Sequence, residues 1–194
     1  PDPIPPQRYG VFTERTDMDG ALDFGLDTAL HIWNNLTDIA AGVPPYAGSS
    51  VWAFRAHAGA WFGMGVATAP KNMSNYAGGS LKFHMRTSSP AALKIGVKPL
   101  GAPDLWLPFI DGGEQYGLVR DGQWHEVTIP LSAFAGLNLS SIEQFFMLSC
   151  IDALSCGYHE DIEFFIDDVY WLAPESQGDG AIFEDGFEEE NEEI

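Results

Sequence analysis

Three sets of residues in this 194-residue chain are of types and spacings that could do chemistry: six tryptophans, nine bases and 28 acids. An indole offers a flat apolar surface. It suits the C–H face of a sugar ring, whose hydroxyl rim then needs fixed donors and acceptors. Trp61 is the first candidate, because Gly63 and Gly65 share its strand face and leave a shallow floor beside the ring. Trp52, alternating away from Arg55, and Trp106, alternating with Leu105 and Leu107, come next. Gln115 and Tyr116, in the loop DGGEQYG, could reach the rim of such a site, or the loop is only a turn.

The bases are also unevenly placed. Lys82, Arg86, Lys94 and Lys98, with His84 between the first two, fall on the polar faces of two strands joined by SSPA, which reads as a hairpin. In a protein this acidic, a cationic sheet face on the concave side of a sandwich would favour a carboxylated or sulfated glycan through charge-assisted hydrogen bonds. The alternative is a solvated face whose bases pair with surrounding acids. Among the acids, Asp161 and Glu163 sit at i and i+2, about 6.7 Å apart by strand rise. That lies inside the separation of about 5 to 9.5 Å that a glycosidase needs. With 28 acids such pairs arise by chance. No G-x-S-x-G elbow, HExxH helix or glycine-rich phosphate loop accompanies them, so the expectation is a protein that is not an enzyme. Cys150 and Cys156, in CIDALSC, are close enough to close a small disulfide loop in an oxidising compartment. A zinc site adding His159 and Asp161 has the right ligand types but no paired knuckle.

The elements that must position these residues show a period of two. Leu81, Phe83 and Met85 oppose Lys82, His84 and Arg86; Leu93, Ile95 and Val97 oppose Lys94, Gly96 and Lys98; Phe62, Met64 and Val66 oppose Trp61, Gly63 and Gly65. HEVTIPL alternates too, and further runs at YGVFT, LHIWNN, VWAFRA, LWLPFI, EQFFMLS and IEFFIDDVYWL bring the count to about ten strands. An all-β antiparallel sandwich follows, with one helical turn at LNLSSIEQF capped by Ser140 or Ser141. Residues 1–7 hold four prolines and read as a linker, residues 8–174 as the sandwich, and residues 175–194, with nine acids and no base, as an acidic mobile tail.

A net charge of -19 repels phosphate backbones and anionic headgroups, which excludes nucleic acid as a partner. No apolar run approaches the ~20 residues of a membrane span, so membrane insertion is excluded too. PDPIPPQRYG lacks the basic-then-apolar pattern of a secretory signal.

The series WFGMGV, SNYAGGSLKFHMRT, DGQWHEVTIPLSAF and FFIDDVYWL resembles, in composition and order, the non-catalytic carbohydrate-binding modules with a galactose-binding-domain-like jelly roll. The resemblance spans most of residues 8–173. It implies non-covalent binding of an extracellular polysaccharide, a β-glucan or an anionic algal-type glycan, by a secreted bacterial monomer attached to or co-secreted with a polysaccharide-degrading enzyme. It also implies that Trp33, Trp124 and Trp171 are core. Similar jelly rolls hold a structural calcium (Ca2+) where first and last strands meet, and Glu14, Asp17, Asp19, Asp167 and Asp168 match those positions. Calcium accepts six to eight oxygens in irregular geometry. Strand parity points independently to Asp167, which alternation places on one face with Phe165, Val169 and Trp171, where an unpaired carboxylate would be costly. The alternatives are a secreted surface or adhesive module with a protein ligand, and a glycan-cleaving jelly-roll enzyme.

Overall fold

A computed structural model describes residues 5–151 and 160–175. Twelve strands run in chain order: β1 Arg8–Phe12, β2 Gly20–Ala21, β3 Thr28–Asn34, β4 Leu36–Asp38, β5 Trp52–Ala56, β6 Phe62–Lys71, β7 Ser80–Arg86, β8 Leu93–Pro99, β9 Leu105–Phe109, β10 Trp124–Pro130, β11 Ile142–Ser149 and β12 Ile162–Leu172. Every run singled out by alternation is a strand, and β2 and β4 are short additions. The strands form two sheets. The five-stranded one has the order β3-β6-β11-β8-β9; the seven-stranded one has β10-β7-β12-β1-β2, with β5 between β12 and β4. Except for the two-residue β2, which runs parallel to β1, the pairings are antiparallel.

Inward residues of both sheets meet in one core, dominated by Phe54, Phe62, Phe83, Phe145, Phe164 and Trp171, all at most 2% exposed. Burial of this much aromatic surface is the main stabilising term. The indole N–H of Trp171 donates to the carbonyl of Phe145 at 3.1 Å, so the core's one polar indole atom is satisfied.

Three expectations need correction. First, the basic hairpin does not exist: β7 belongs to the seven-stranded sheet and β8 to the five-stranded one. Their apolar residues enter the same core from opposite sides. Alternation says which residues face inward, not which strand lies alongside. Residues 87–92 cross between the sheets, and the Arg120 guanidinium holds that crossing by donating to the carbonyls of Ser89, Ala91, Ile110 and Gly113. Second, β12 carries a bulge between Asp167 and Tyr170, with Asp168 at φ 51°. The extra residue reverses the parity, so Phe165 and Asp167 face outward while Val169 and Trp171 face the core. Third, LNLSSIEQF forms a turn into β11 rather than a helical turn, and a 3-10 turn lies earlier, at Leu131–Ala133.

Candidate functional site

The outward face of the five-stranded sheet is an aromatic shelf. Register places His31, Gly65, Met147, Gly96 and Trp106 in one row across β3, β6, β11, β8 and β9. The next row is Trp33, Gly63, Ser149, Lys94 and Pro108. The glycines decide how the rings lie. A Cβ on Gly65 would come within 2.9 Å of Trp33 Cη2, and one on Gly96 within 2.5 Å of Trp106 Cε3. Each indole therefore lies down over the neighbouring strand, with one face against glycine. A Cβ on Gly63 would meet both Trp61 and Trp33, at 3.2 and 3.3 Å, so these two rings adjoin. Trp61 is 42% exposed, and Trp33 and Trp106 are half-buried. The shelf spans five strands, about 19 Å at the usual spacing of ~4.8 Å.

Polar groups frame these rings. His31 stacks parallel to Trp33 with centroids 6.0 Å apart. Lys94 Nζ lies 4.5 Å from the Trp106 ring centre, a cation–π geometry. Lys98 pairs with Glu143 at 2.9 Å, which raises the lysine above its ordinary value. Gln144, opposite Ala67 and Lys98 in register, has its side-chain oxygen buried with no protein donor.

Of the expected ligand-binding residues, only Trp61 and Trp106 belong to this shelf. Trp52 stacks on Phe12 at 4.1 Å and packs against the core. Gln115 and Tyr116 form a 3-10 turn in which Tyr116, at φ 56°, leans on Phe109. Trp33 and Trp124, expected in the core, are half-buried on outward faces; only Trp171 is core. Trp33, His31 and Gln144 join the shelf without a sequence expectation of binding, and Lys94 reaches it from β8 rather than from a basic hairpin. The signal for Trp33 was present, since its parity mates His31 and Asn35 are polar while Leu30 and Ile32 are not.

Arg55, Lys82, His84 and Arg86 lie on the outward face of the other sheet, which is engaged differently. Lys82 pairs with Glu126 at 2.8 Å, and Arg55 bonds Glu163 through two guanidinium nitrogens. His84 is 5% exposed beneath the Tyr46 ring, which stacks on it at 3.4 Å; burial holds the imidazole below its ordinary value. Asp167 accepts from the backbone N–H groups of Tyr46 at 2.8 Å, Ala47 at 3.0 Å and Asp168 at 2.6 Å, while burial pushes its carboxyl up. Trp124 donates to the Pro44 carbonyl at 3.1 Å. These contacts tie the segment between β4 and β5 across the sheet. Of the two acids weighed as a catalytic pair, Glu163 is held by Arg55, and Asp161 accepts from Ala58 N–H at 3.0 Å beside His57.

The five acids expected to hold calcium do not converge. Glu14 accepts from the Ser49 N–H and the hydroxyls of Ser49 and Ser50, which lower its carboxyl. Asp17 is bonded by Arg15 at 2.9 and 2.8 Å, which pulls it down to about 2, and Asp19 accepts from Arg8 N–H at 2.7 Å. Asp168 accepts from the Thr13 hydroxyl at 2.7 Å, with Arg15 3.6 Å away. Among the described residues no three His, Cys, Asp or Glu side chains gather in a set that could hold a metal. Each of these carboxylates already has protein partners, and the Arg15 guanidinium supplies a cation to Asp17 and Asp168. Cys150 is buried just past β11. Cys156 and His159, and with them the expected disulfide and the zinc alternative, lie outside the described residues, as do residues 176–194 of the expected mobile tail. Among the described residues no helix is long and apolar enough to cross a membrane.

No protein-family model and no curated protein matches the chain. Solved structures do. A family 11 carbohydrate-binding module from Clostridium thermocellum, in complex with a β-1,3-1,4-mixed-linked tetrasaccharide, is 14% identical at a TM-score of 0.51; the match covers 78% of this chain and 94% of that one. A β-1,2-glucanase from Parabacteroides distasonis is 15% identical at a TM-score of 0.54, covering 75% of this chain and 23% of the enzyme. An exo-β-agarase is 13% identical at a TM-score of 0.51, covering 76% of this chain and 24% of the enzyme. At these identities the likeness shows the fold alone, a two-sheet β-sandwich.

Proposed function

We propose that this chain binds an extracellular polysaccharide without cleaving it, on the outward face of the five-stranded sheet. One observation carries the reading: three indoles, Trp33, Trp61 and Trp106, adjoin outward-facing glycines on one sheet face, in the two rows that cross its five strands. A sheet face about 19 Å across with indoles toward both sides of its centre suits an oligosaccharide lying across the strands better than a single sugar. The ligand class proposed is a β-glucan, whose equatorial hydroxyls leave both ring faces flat and apolar; Lys94 and the Gln144 amide would bond its rim. The module with a mixed-linked tetrasaccharide supports this choice by its fold. The setting proposed is outside the cell, as a targeting module acting with a polysaccharide-degrading enzyme.

Affinity electrophoresis against a panel of soluble polysaccharides tests the reading. Mixed-linkage β-glucan should retard the protein, Trp33→Ala and Trp106→Ala should abolish the retardation, and no new reducing ends should form. Absence of retardation by every glycan would refute glycan binding and favour a protein ligand; new reducing ends would refute the non-catalytic reading.

A further inference from the structure

The seven-stranded sheet carries an opening that the aromatic shelf does not use. A cleft of about 690 Å³ lies on its outward face, between the 39–43 segment and the turn at Thr87 and Ser88. That volume is within the range of about 300 to 1,000 Å³ common for small-molecule sites. Phe165 and Arg86, register partners on β12 and β7, line it together with Arg55 and Glu163. Ile39, Ala40, Ala41 and Val43 make one wall apolar. This wall is fixed in place, because residues 44–47, next in the chain, are tied to Trp124, His84 and Asp167.

The charges in this cleft are unusual for the molecule. Of the nine bases, Arg8, Arg15, Arg55, Lys71, Lys82 and Lys98 are ion-paired, Lys94 lies over Trp106, and Arg120 is bonded to carbonyls. Among the described residues the Arg86 side chain has neither an ion pair nor a hydrogen bond, in a chain with 28 acids. A half-buried guanidinium beside Phe165 is short of an anion, and its planar fork matches a carboxylate through two parallel hydrogen bonds. Glu163 restricts what else can enter. Arg55 bonds its Oε1, which leaves Oε2 to accept from a hydroxyl and to repel a second anion. The complement is a molecule with one carboxylate, several hydroxyls and an apolar ring face.

We propose that the cleft is a second binding site, for a single hexuronate unit of an acidic glycan. Its carboxylate pairs with Arg86, its hydroxyls face Glu163 and its ring lies over Phe165. This site is separate from the shelf and stands whether or not the shelf binds a β-glucan.

The test is a titration of the full chain with sodium glucuronate and galacturonate, followed through backbone amide resonances. Saturable shifts are expected at Gly42, Thr87, Ser88 and Gly122. The methyl ester of the same uronate, glucose and acetate should give none, and added salt should weaken the response. Arg86→Gln should lower the affinity at least about tenfold, with Arg86→Lys intermediate because it keeps the charge and loses the fork. Retardation of Arg86→Gln by β-glucan, equal to that of the parent, would show that the variant is folded and that the two sites are independent. Equal shifts with the ester or with glucose would overturn the proposal, as would unchanged uronate affinity in Arg86→Gln; so would equal shifts with acetate, which would mark only a spot for small anions. The ester comparison needs no variant, so it decides the matter even if Arg86→Gln fails to fold.

Discussion

On the five-stranded sheet the outward Trp33 and Trp106 lie over Gly65 and Gly96, whereas on the seven-stranded sheet the outward Trp124 is bonded to the Pro44 carbonyl, beside Tyr46 stacked on His84. The three tryptophans occupy equivalent outward strand positions. Their surroundings differ: glycines beneath the ring on one face, a tied-down segment above the sheet on the other. A glycine floor lets an indole lie flat and keep one face free. Covering a sheet with chain consumes the same residue types as anchors, and Asp167, which sequence parity made into a metal ligand, serves there as an acceptor for loop amides. The open face keeps its indoles uncovered, and the covered face keeps the cleft at Arg86.

Substitutions can break this contrast. Trp33→Ala and Trp106→Ala should each lower affinity for mixed-linkage β-glucan by about 10- to 100-fold, roughly 1.4 to 2.8 kcal/mol, measured by titration calorimetry. Trp124→Ala should leave that affinity within about twofold, since no glycine-backed stacking surface is lost; an equal loss from Trp124→Ala would erase the distinction between the faces. Gly65→Ala probes the floor without removing a ring. Its Cβ would meet Trp33 Cη2 at 2.9 Å and Gln144 Oε1 at 2.7 Å, both ends of side chains that can move. Affinity should fall several-fold, by about 1 kcal/mol, with the melting temperature nearly unchanged; full affinity would show that the ring's tilt is irrelevant.

Smaller effects are expected on the covered face. Tyr46→Ala should lower the melting temperature by about 2 to 5 °C, through loss of its stacking on His84, and leave β-glucan binding intact. Reduced glucan binding in that variant would mean that the 39–50 segment contributes to the shelf. The least effect is expected from a chelator, which should not move the melting temperature, whereas Arg15→Ala should lower it by roughly 2 to 4 °C by leaving the buried Asp168 without its guanidinium. A fall on chelation would reinstate a metal bound by the native state.

Strand positions were legible because each apolar alternation buries one face, and the ten runs predicted all became strands. Partner choice was not. Leu81, Phe83 and Met85 and Leu93, Ile95 and Val97 look like two arms of a hairpin, yet face each other across the core from different sheets. The shelf depends on that missing information, because Gly96 and Trp106 meet only through the β8–β9 register and Trp33 and Gly63 only through β3–β6. Trp61 with its glycines was legible from one strand alone. The polar parity mates of Trp33 (His31 and Asn35) and of Trp124 (Glu126 and Thr128) mark both rings as outward, although both strands also match the scaffold motif. The bulge at Asp167 and Asp168 defeats alternation on its own terms, since one inserted residue reverses the face of all that follow.

The most direct measurement follows the six indole N–H resonances while a mixed-linked β-glucan oligosaccharide is added. Signals of Trp33, Trp61 and Trp106 should shift and saturate together, while those of Trp52, Trp124 and Trp171 stay in place. Shifts confined to Trp124 or Trp52, or no shift at saturating oligosaccharide, would contradict the account.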